Sequence, residues 1–135
     1  MATKFSGKYL DGLRVEAIHD ESTAIIVSDA PLDNGGKGRG FSPTDMVAAS
    51  LGMCAMTNMG LYAQNHGLDL KGATMKIVKT MSSEPPRRIS KIEVVFSMPK
   101  GILEKDRLGL ERTARACPVH QSLHAEVEQI FTFEW

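Results

Sequence analysis

The stretch Ser42–Asn65 reads SPTDMVAASLGMCAMTNMGLYAQN, and the fold turns on what it forms. Ser42 is a good N-cap, Pro43 suits the first helical position, and Asp45 complements the helix dipole in the first turn. His66-Gly67 supplies the stop, so a helix should run from Pro43 to about Asn65. It is apolar nearly all the way round and should be enclosed on most faces. Ala48, Ala49, Gly52, Ala55 and Gly60 would let a neighbouring backbone approach closely. The apolar run Met46–Tyr62 approaches membrane-span length, but Ser50, Thr57 and Asn58 interrupt it and no Lys or Arg flanks it. A buried core or dimer helix is therefore expected, not a membrane span.

On its N-terminal side, KFSGKYL and GLRVEAIHD are two short strands about the turn signal Asp11-Gly12, and the β-branched STAIIVSDA is a third. DAPLDNGGKGRGFSP then forms a glycine- and proline-rich loop of roughly 14 residues, a length that often marks function. On the C-terminal side, LKGATMKIVKTM alternates as a strand with Ala73, Met75, Ile77 and Lys79 on one side. SSEPPRR turns the chain, and ISKIEVVFSMP returns with Ile89, Ile92, Val94 and Phe96 among its apolar positions. LEKDRLGLERTARA is a charged amphipathic helix whose inner side carries Leu103, Leu110 and Ala114. Cys117-Pro118 breaks it, PVHQSLHAE is a short helix, and VEQIFTFEW closes as a strand. The order βββ-α-ββ-αα-β implies an α+β fold, an antiparallel sheet around a long buried central helix, as a single domain over residues 1–135.

Composition excludes several partner classes. The 16 basic and 16 acidic residues of this 135-residue chain cancel, so no electrostatic case exists for nucleic acid or an anionic membrane. The first residues, MATKFSGKYLDGLRV, lack the apolar core of a secretory signal, and the two cysteines then suggest a reducing cytoplasm. A chain this small has trouble burying a helix of roughly 24 apolar-faced residues by itself, which predicts a homodimer.

The chemistry lies with Cys54 and Cys117. Reactive cysteines need the thiolate, favoured by positive charge or a helix N-terminus. That test favours Cys117, which starts a helix between Arg112, Arg115 and His120, over Cys54, about three turns into its own helix. Basic residues of the GGKGRG loop are candidates for activating Cys54. Either thiol alone could equally be a small buried apolar residue. A zinc site at Cys117, His120 and His124 lacks a fourth ligand, and a Cys117–His120 hydrolytic pair lacks an orienting third group. No metal and no bound cofactor is expected.

GFSPTDMVAASLGMCAMTNM, followed far downstream by ARACPVHQSL, resembles the OsmC/Ohr family, named for osmotically inducible protein C and organic hydroperoxide resistance protein. The resemblance covers essentially the whole chain. It implies an intertwined homodimer and a thiol-dependent peroxidase, with Cys54 matching the peroxidatic cysteine and Cys117 the resolving one. An organic hydroperoxide is then the substrate and an external dithiol the reductant; the region of Met46, Met53, Met56 and Met59 would supply an apolar substrate pocket, the alternative for these methionines being core packing. The family also uses an arginine that steadies the thiolate, for which Arg39 and Arg14 are candidates, and a glutamate early in the long helix. Here Thr44 occupies the glutamate's place and Asp45, one position on, is the nearest carboxylate. That departure resembles the less characterised YhfA-like branch. It keeps open a redox-responsive or apolar-ligand-binding protein with little peroxidase turnover.

Overall fold

A computed structural model describes residues 1–135. The elements are strands β1 (Phe5–Asp11), β2 (Arg14–His19) and β3 (Ile25–Asp29), helix α1 (Pro43–Asn65), and strands β4 (Thr74–Met81) and β5 (Ile89–Ser97). Helices α2 (Glu104–Arg115) and α3 (Pro118–Ser122) and strand β6 (Glu128–Glu134) complete the chain. The order βββ-α-ββ-αα-β is the expected one. The chain falls into two compact units, Met1–Met46 and Val47–Trp135.

The first unit is an antiparallel sheet in the order β1-β2-β3. Its β1–β2 turn uses the Asp11-Gly12 signal: Asp11, Gly12 and Leu13 all take positive φ, and the register shifts between Tyr9 and Asp11. Tyr9 pairs with Val15, and Ala17 with Ile26, so Phe5, Tyr9, Val15, Ala17 and Ile26 share one face. That face is open, with Phe5 65% and Tyr9 60% exposed. The loop after β3 opens with a 3-10 turn at Leu32–Asn34 and folds back on its own start. Gly36 and Gly38 are held near β3 through Gly36 N–H to Pro31 O and Gly38 N–H to Ala30 O. A Cβ on Gly36 would lie 1.7 Å from the Ala30 carbonyl oxygen, so only glycine fits.

The second unit carries the core. Strands run β4-β5-β6; Met75 faces Phe96 and Ile77 faces Val94 across β4–β5, as the alternation of LKGATMKIVKTM requires. Lys79, opposite Ile92, falls on the same side. One pairing differs from expectation: β6 joins β5 in parallel, with Phe131 beside Val94 and Phe133 beside Phe96. A parallel neighbour needs a crossover, and α2 with α3 supplies it. Ile92, Val94 and Phe96 are fully buried, each worth roughly 1.5–3 kcal/mol of apolar burial.

α1 lies on that sheet through Gly52, whose missing side chain makes room: a Cβ there would come within 2.8 Å of Ile77 Cδ1 and 2.9 Å of Met75 Sδ. The helix is long and apolar enough to cross a membrane, yet Ala48, Leu51, Gly52, Ala55, Met59 and Ala63 are buried in protein. Enclosure on most faces is not what the chain alone achieves. Val47, Met53, Thr57 and Leu61 remain exposed on the other side. Two local expectations also change. Leu103 is an exposed N-cap position, leaving Leu110 and Ala114 as the inner residues of α2 beside buried Asp106, and α3 ends at Ser122, not Glu126.

Candidate active site

Cys54 sits mid-way along α1 and Cys117 at the junction of α2 and α3. Three contacts fix those helices against each other. Gly109 lets α2 close on Tyr62, since a Cβ would stand 2.2 Å from the phenol oxygen. The Tyr62 hydroxyl donates to Asp106 Oδ1 (3.2 Å), and Asn58 Nδ2 donates to the Thr113 carbonyl (3.4 Å). Tyr62 in turn stacks on His66 at 3.8 Å. The last turn of α2 is thereby brought to the middle of α1, and the Cys54 side chain comes close enough to act electrostatically on Cys117; both thiols are free. The sequence puts these sulfurs far apart; the crossing of α1 and α2 joins them.

They are not equivalent. Cys117 is completely buried, whereas Cys54 is half-buried with its flank open. Burial pushes the Cys117 thiol up; the His120 N–H (3.3 Å to Sγ) and the Val119 N–H pull it down, and the Cys54 side chain raises it further. The helix-start position that favours ionisation of Cys117 is present, since Cys117 is the N-cap of α3. Desolvation outweighs it, and α3 has only five residues of dipole to offer. Cys117 is therefore a thiol whose proton burial helps to hold.

The surroundings of Cys54 are apolar for a specific reason. Ser50 and Thr57 lie a turn to either side, but each hydroxyl donates to its own helix, to Val47 O (2.7 Å) and Met53 O (2.8 Å). Met53 is 59% exposed beside Cys54, while Met56 packs against the core.

The charged candidates are engaged locally. Asp45 Oδ2 accepts from the Ser42 N–H (2.9 Å) and Ser42 Oγ accepts from the Asp45 N–H (3.1 Å), a reciprocal cap on α1. In the first unit, Arg39 donates to Asp29 Oδ2 from both its backbone N–H (3.0 Å) and Nε (2.9 Å). That side-chain bond, followed by the backbone one, holds the buried Asp29 carboxyl below the usual range. Arg14 stands opposite Asp29 in the strand register, and its Nε is buried without a partner, as is Asp29 Oδ1. No three His, Cys, Asp or Glu side chains converge in an arrangement that could hold a metal ion.

One pair was not singled out by sequence. His120, three residues past Cys117, is clasped by Gln129 of β6: Gln129 Nε2 donates to the His120 carbonyl (3.3 Å) and Gln129 Oε1 meets ring Nδ1. A Cys-Pro-Val-His run flags His120, but nothing in VEQIFTFEW flags its partner.

The site thus sets a half-buried and a fully buried cysteine on two neighbouring helices of an α+β fold. The family model for OsmC-like proteins matches residues 36–130, and the chain belongs to that family. A solved structure from Psychrobacter arcticus, provisionally assigned to osmotic-stress induction and the detoxification response, is 35% identical, with a TM-score of 0.93 over 99% of this chain and 97% of that one. The organic hydroperoxide resistance protein OsmC of Legionella pneumophila shares the fold at 15% identity (TM-score 0.76; 100% and 98% covered). The organic hydroperoxide resistance protein OhrB of Bacillus subtilis does so at 12% (0.68; 99% and 98%). No curated protein matches the chain.

Proposed function

We propose that this protein reduces organic hydroperoxides in the cytoplasm through Cys54 and Cys117. The observation that carries the reading is the asymmetric cysteine pair: half-buried Cys54 within electrostatic reach of fully buried Cys117, whose thiol burial pushes up. Cys54, as thiolate, attacks the terminal oxygen of ROOH; the O–O bond breaks, the hydroxyl stays on sulfur as a sulfenic acid, and the alkoxide takes a proton from solvent and leaves as ROH. Cys117 then attacks that sulfur. The S–S bond forms, the S–O bond breaks, and the Cys117 proton leaves with the hydroxyl as water. An external dithiol reduces the disulfide by exchange, regenerating both thiols. The apolar flank of Cys54, with Met53 and Met56, suits an alkyl or aryl hydroperoxide over hydrogen peroxide. Relatives described as organic hydroperoxide resistance proteins lend the substrate class support. Arg39, steadying the thiolate, and Asp45, orienting it, enter as roles to be tested by Arg39→Ala and Asp45→Asn.

The working form in this proposal is a homodimer. Two open apolar surfaces favour it, each within its own unit: the Phe5–Tyr9–Val15–Ile26 face of the first sheet and the Val47–Met53–Leu61 side of α1. A stable monomer in light scattering at micromolar concentration would exclude it.

The competing reading is a redox-responsive or ligand-binding protein that turns over poorly. The commitment of Asp45 to the helix cap, with Thr44 beside it, favours that alternative. Steady-state consumption of cumene hydroperoxide with a dithiol decides between them. The wild type should consume it and Cys54→Ser should not, with Cys117→Ser stalling after one turnover as an over-oxidised thiol. Equal consumption by wild type and Cys54→Ser would overturn the peroxidase.

A further inference from the structure

Closing the disulfide requires the buried Cys117 sulfur to be aimed at Cys54, yet the segment bearing it is held by little of its own. α3 is five residues long, too short to be stable by itself. It meets the sheet at one polar point, the clasp of Gln129 on His120. The geometry there is reciprocal. Because Gln129 Nε2 donates to the His120 carbonyl, it is the amide oxygen that faces the imidazole, and an oxygen can only accept. His120 Nδ1 therefore carries the proton, and both the main chain and the ring of His120 are tied to one side chain. Gln129 itself cannot wander: it lies in β6, paired beside Ile92 of β5, on the sheet's inner face. Phe131, two residues on, backs the imidazole with ring centroids 5.7 Å apart. The other end of the chain of contacts is the His120 N–H, which donates to Cys117 Sγ at 3.3 Å.

We infer that Gln129 is a positioning residue for the resolving step: by clasping His120 it holds the His120 N–H on Cys117 Sγ and so aims that sulfur at Cys54. The inference rests on the thiol-peroxidase reading above and adds a residue to its second half. In the condensation, Cys117 Sγ gains negative character as its proton departs with the hydroxyl of the Cys54 sulfenic acid, and the N–H bond strengthens as that charge builds. Without the clasp, α3 samples other orientations, the N–H leaves the sulfur, and the sulfenic acid waits long enough to meet a second peroxide and become sulfinic acid.

The test separates the two chemical steps. Reduced protein is mixed with a several-fold excess of cumene hydroperoxide, quenched on the millisecond scale, and weighed intact. Gln129→Met keeps length and packing but removes both hydrogen bonds; Gln129→Glu restores an oxygen to receive Nδ1–H. The expected result is an unchanged first step in both variants. Disulfide closure should be slowed about tenfold in Gln129→Met, with more sulfinic acid, and largely rescued in Gln129→Glu. A structural role alone would lower the melting temperature and leave the ratio of the two rates alone. If Gln129→Met does not fold, His120→Ala removes the ring half of the clasp, keeps the backbone N–H, and should shift the same ratio in the same direction. Closure at the wild-type rate in whichever variant folds overturns the assignment. Failure of the first step in wild type overturns the peroxidase instead; the azo oxidant diamide, which takes up the two thiol hydrogens as it becomes a hydrazine, then drives the same disulfide. The same slowed closure, read with diamide, is expected if Gln129 positions Cys117, and equal closure again overturns it.

Discussion

The two sheets have three strands each and opposite fates. The strands β4-β5-β6 present Ile92, Val94 and Phe96 to α1 and α2 and bury them completely. The strands β1-β2-β3 present Phe5, Tyr9, Val15 and Ile26 to nothing within their own unit. Only a sheet with a closed core can desolvate a thiol, and the buried cysteine belongs to that unit. The open sheet instead concentrates its order in polar contacts, Asp29 with Arg39 and the glycine-rich loop. The fully buried cysteine lies in the closed unit, and the open sheet leaves its apolar face uncovered within its own unit.

Substitutions sharpen that contrast. The largest effect is expected in the closed sheet: Phe96→Ala removes a fully buried ring and should cost about 3–5 kcal/mol in urea unfolding. Gly109→Ala comes next, because a methyl group there meets Tyr62; about 1–3 kcal/mol should be lost, and the thiols should separate enough to slow disulfide closure. Tyr9→Ser should leave the second unit's stability alone and act on association, weakening the dimer about tenfold in sedimentation equilibrium if the open face is the contact. An unchanged dimer would place the contact elsewhere.

The smallest effect concerns acid. Asp29 has its carboxyl pKa lowered in the fold, so its contribution to stability is full above its unfolded value of about 4 and is lost as pH falls through the lower folded value. Asp29→Asn should flatten that part of the acid limb in a pH series of melting temperatures. Cys117 runs the other way. Its raised pKa adds stability that is full below the unfolded value of about 8.5 and lost as pH climbs through the folded one. Cys117→Ser should therefore lessen the alkaline decline.

The local record of the fold was legible in the sequence. Ser42, Pro43 and Asp45 announce the start of α1, and the cap they form is there. The alternation through Met75 and Ile77 gives the inner face of β4, and Asp11-Gly12 gives the first turn. What could not be read depends on the third dimension. Spacing does not say whether β6 joins β5 in parallel, or that a single chain covers just one side of α1. The helix-start argument for Cys117 falls short for the same reason: it sees Cys117's neighbours in sequence, while burial in the core that includes Leu110 and Ala114 pushes the thiol up. Gln129 is invisible for a plainer cause, since one glutamine in a strand looks like any solvated polar residue until its partner is located.

Cys54 and Cys117 are proposed to work as one redox unit. Intact mass of the fully reduced protein after one equivalent of cumene hydroperoxide, followed by peptide mapping, tests it most directly. The expected result is a loss of two hydrogens per chain and a single Cys54–Cys117 cross-link, absent in Cys54→Ser. An unchanged mass, or oxygen added to Cys54 with no cross-link to Cys117, would contradict it.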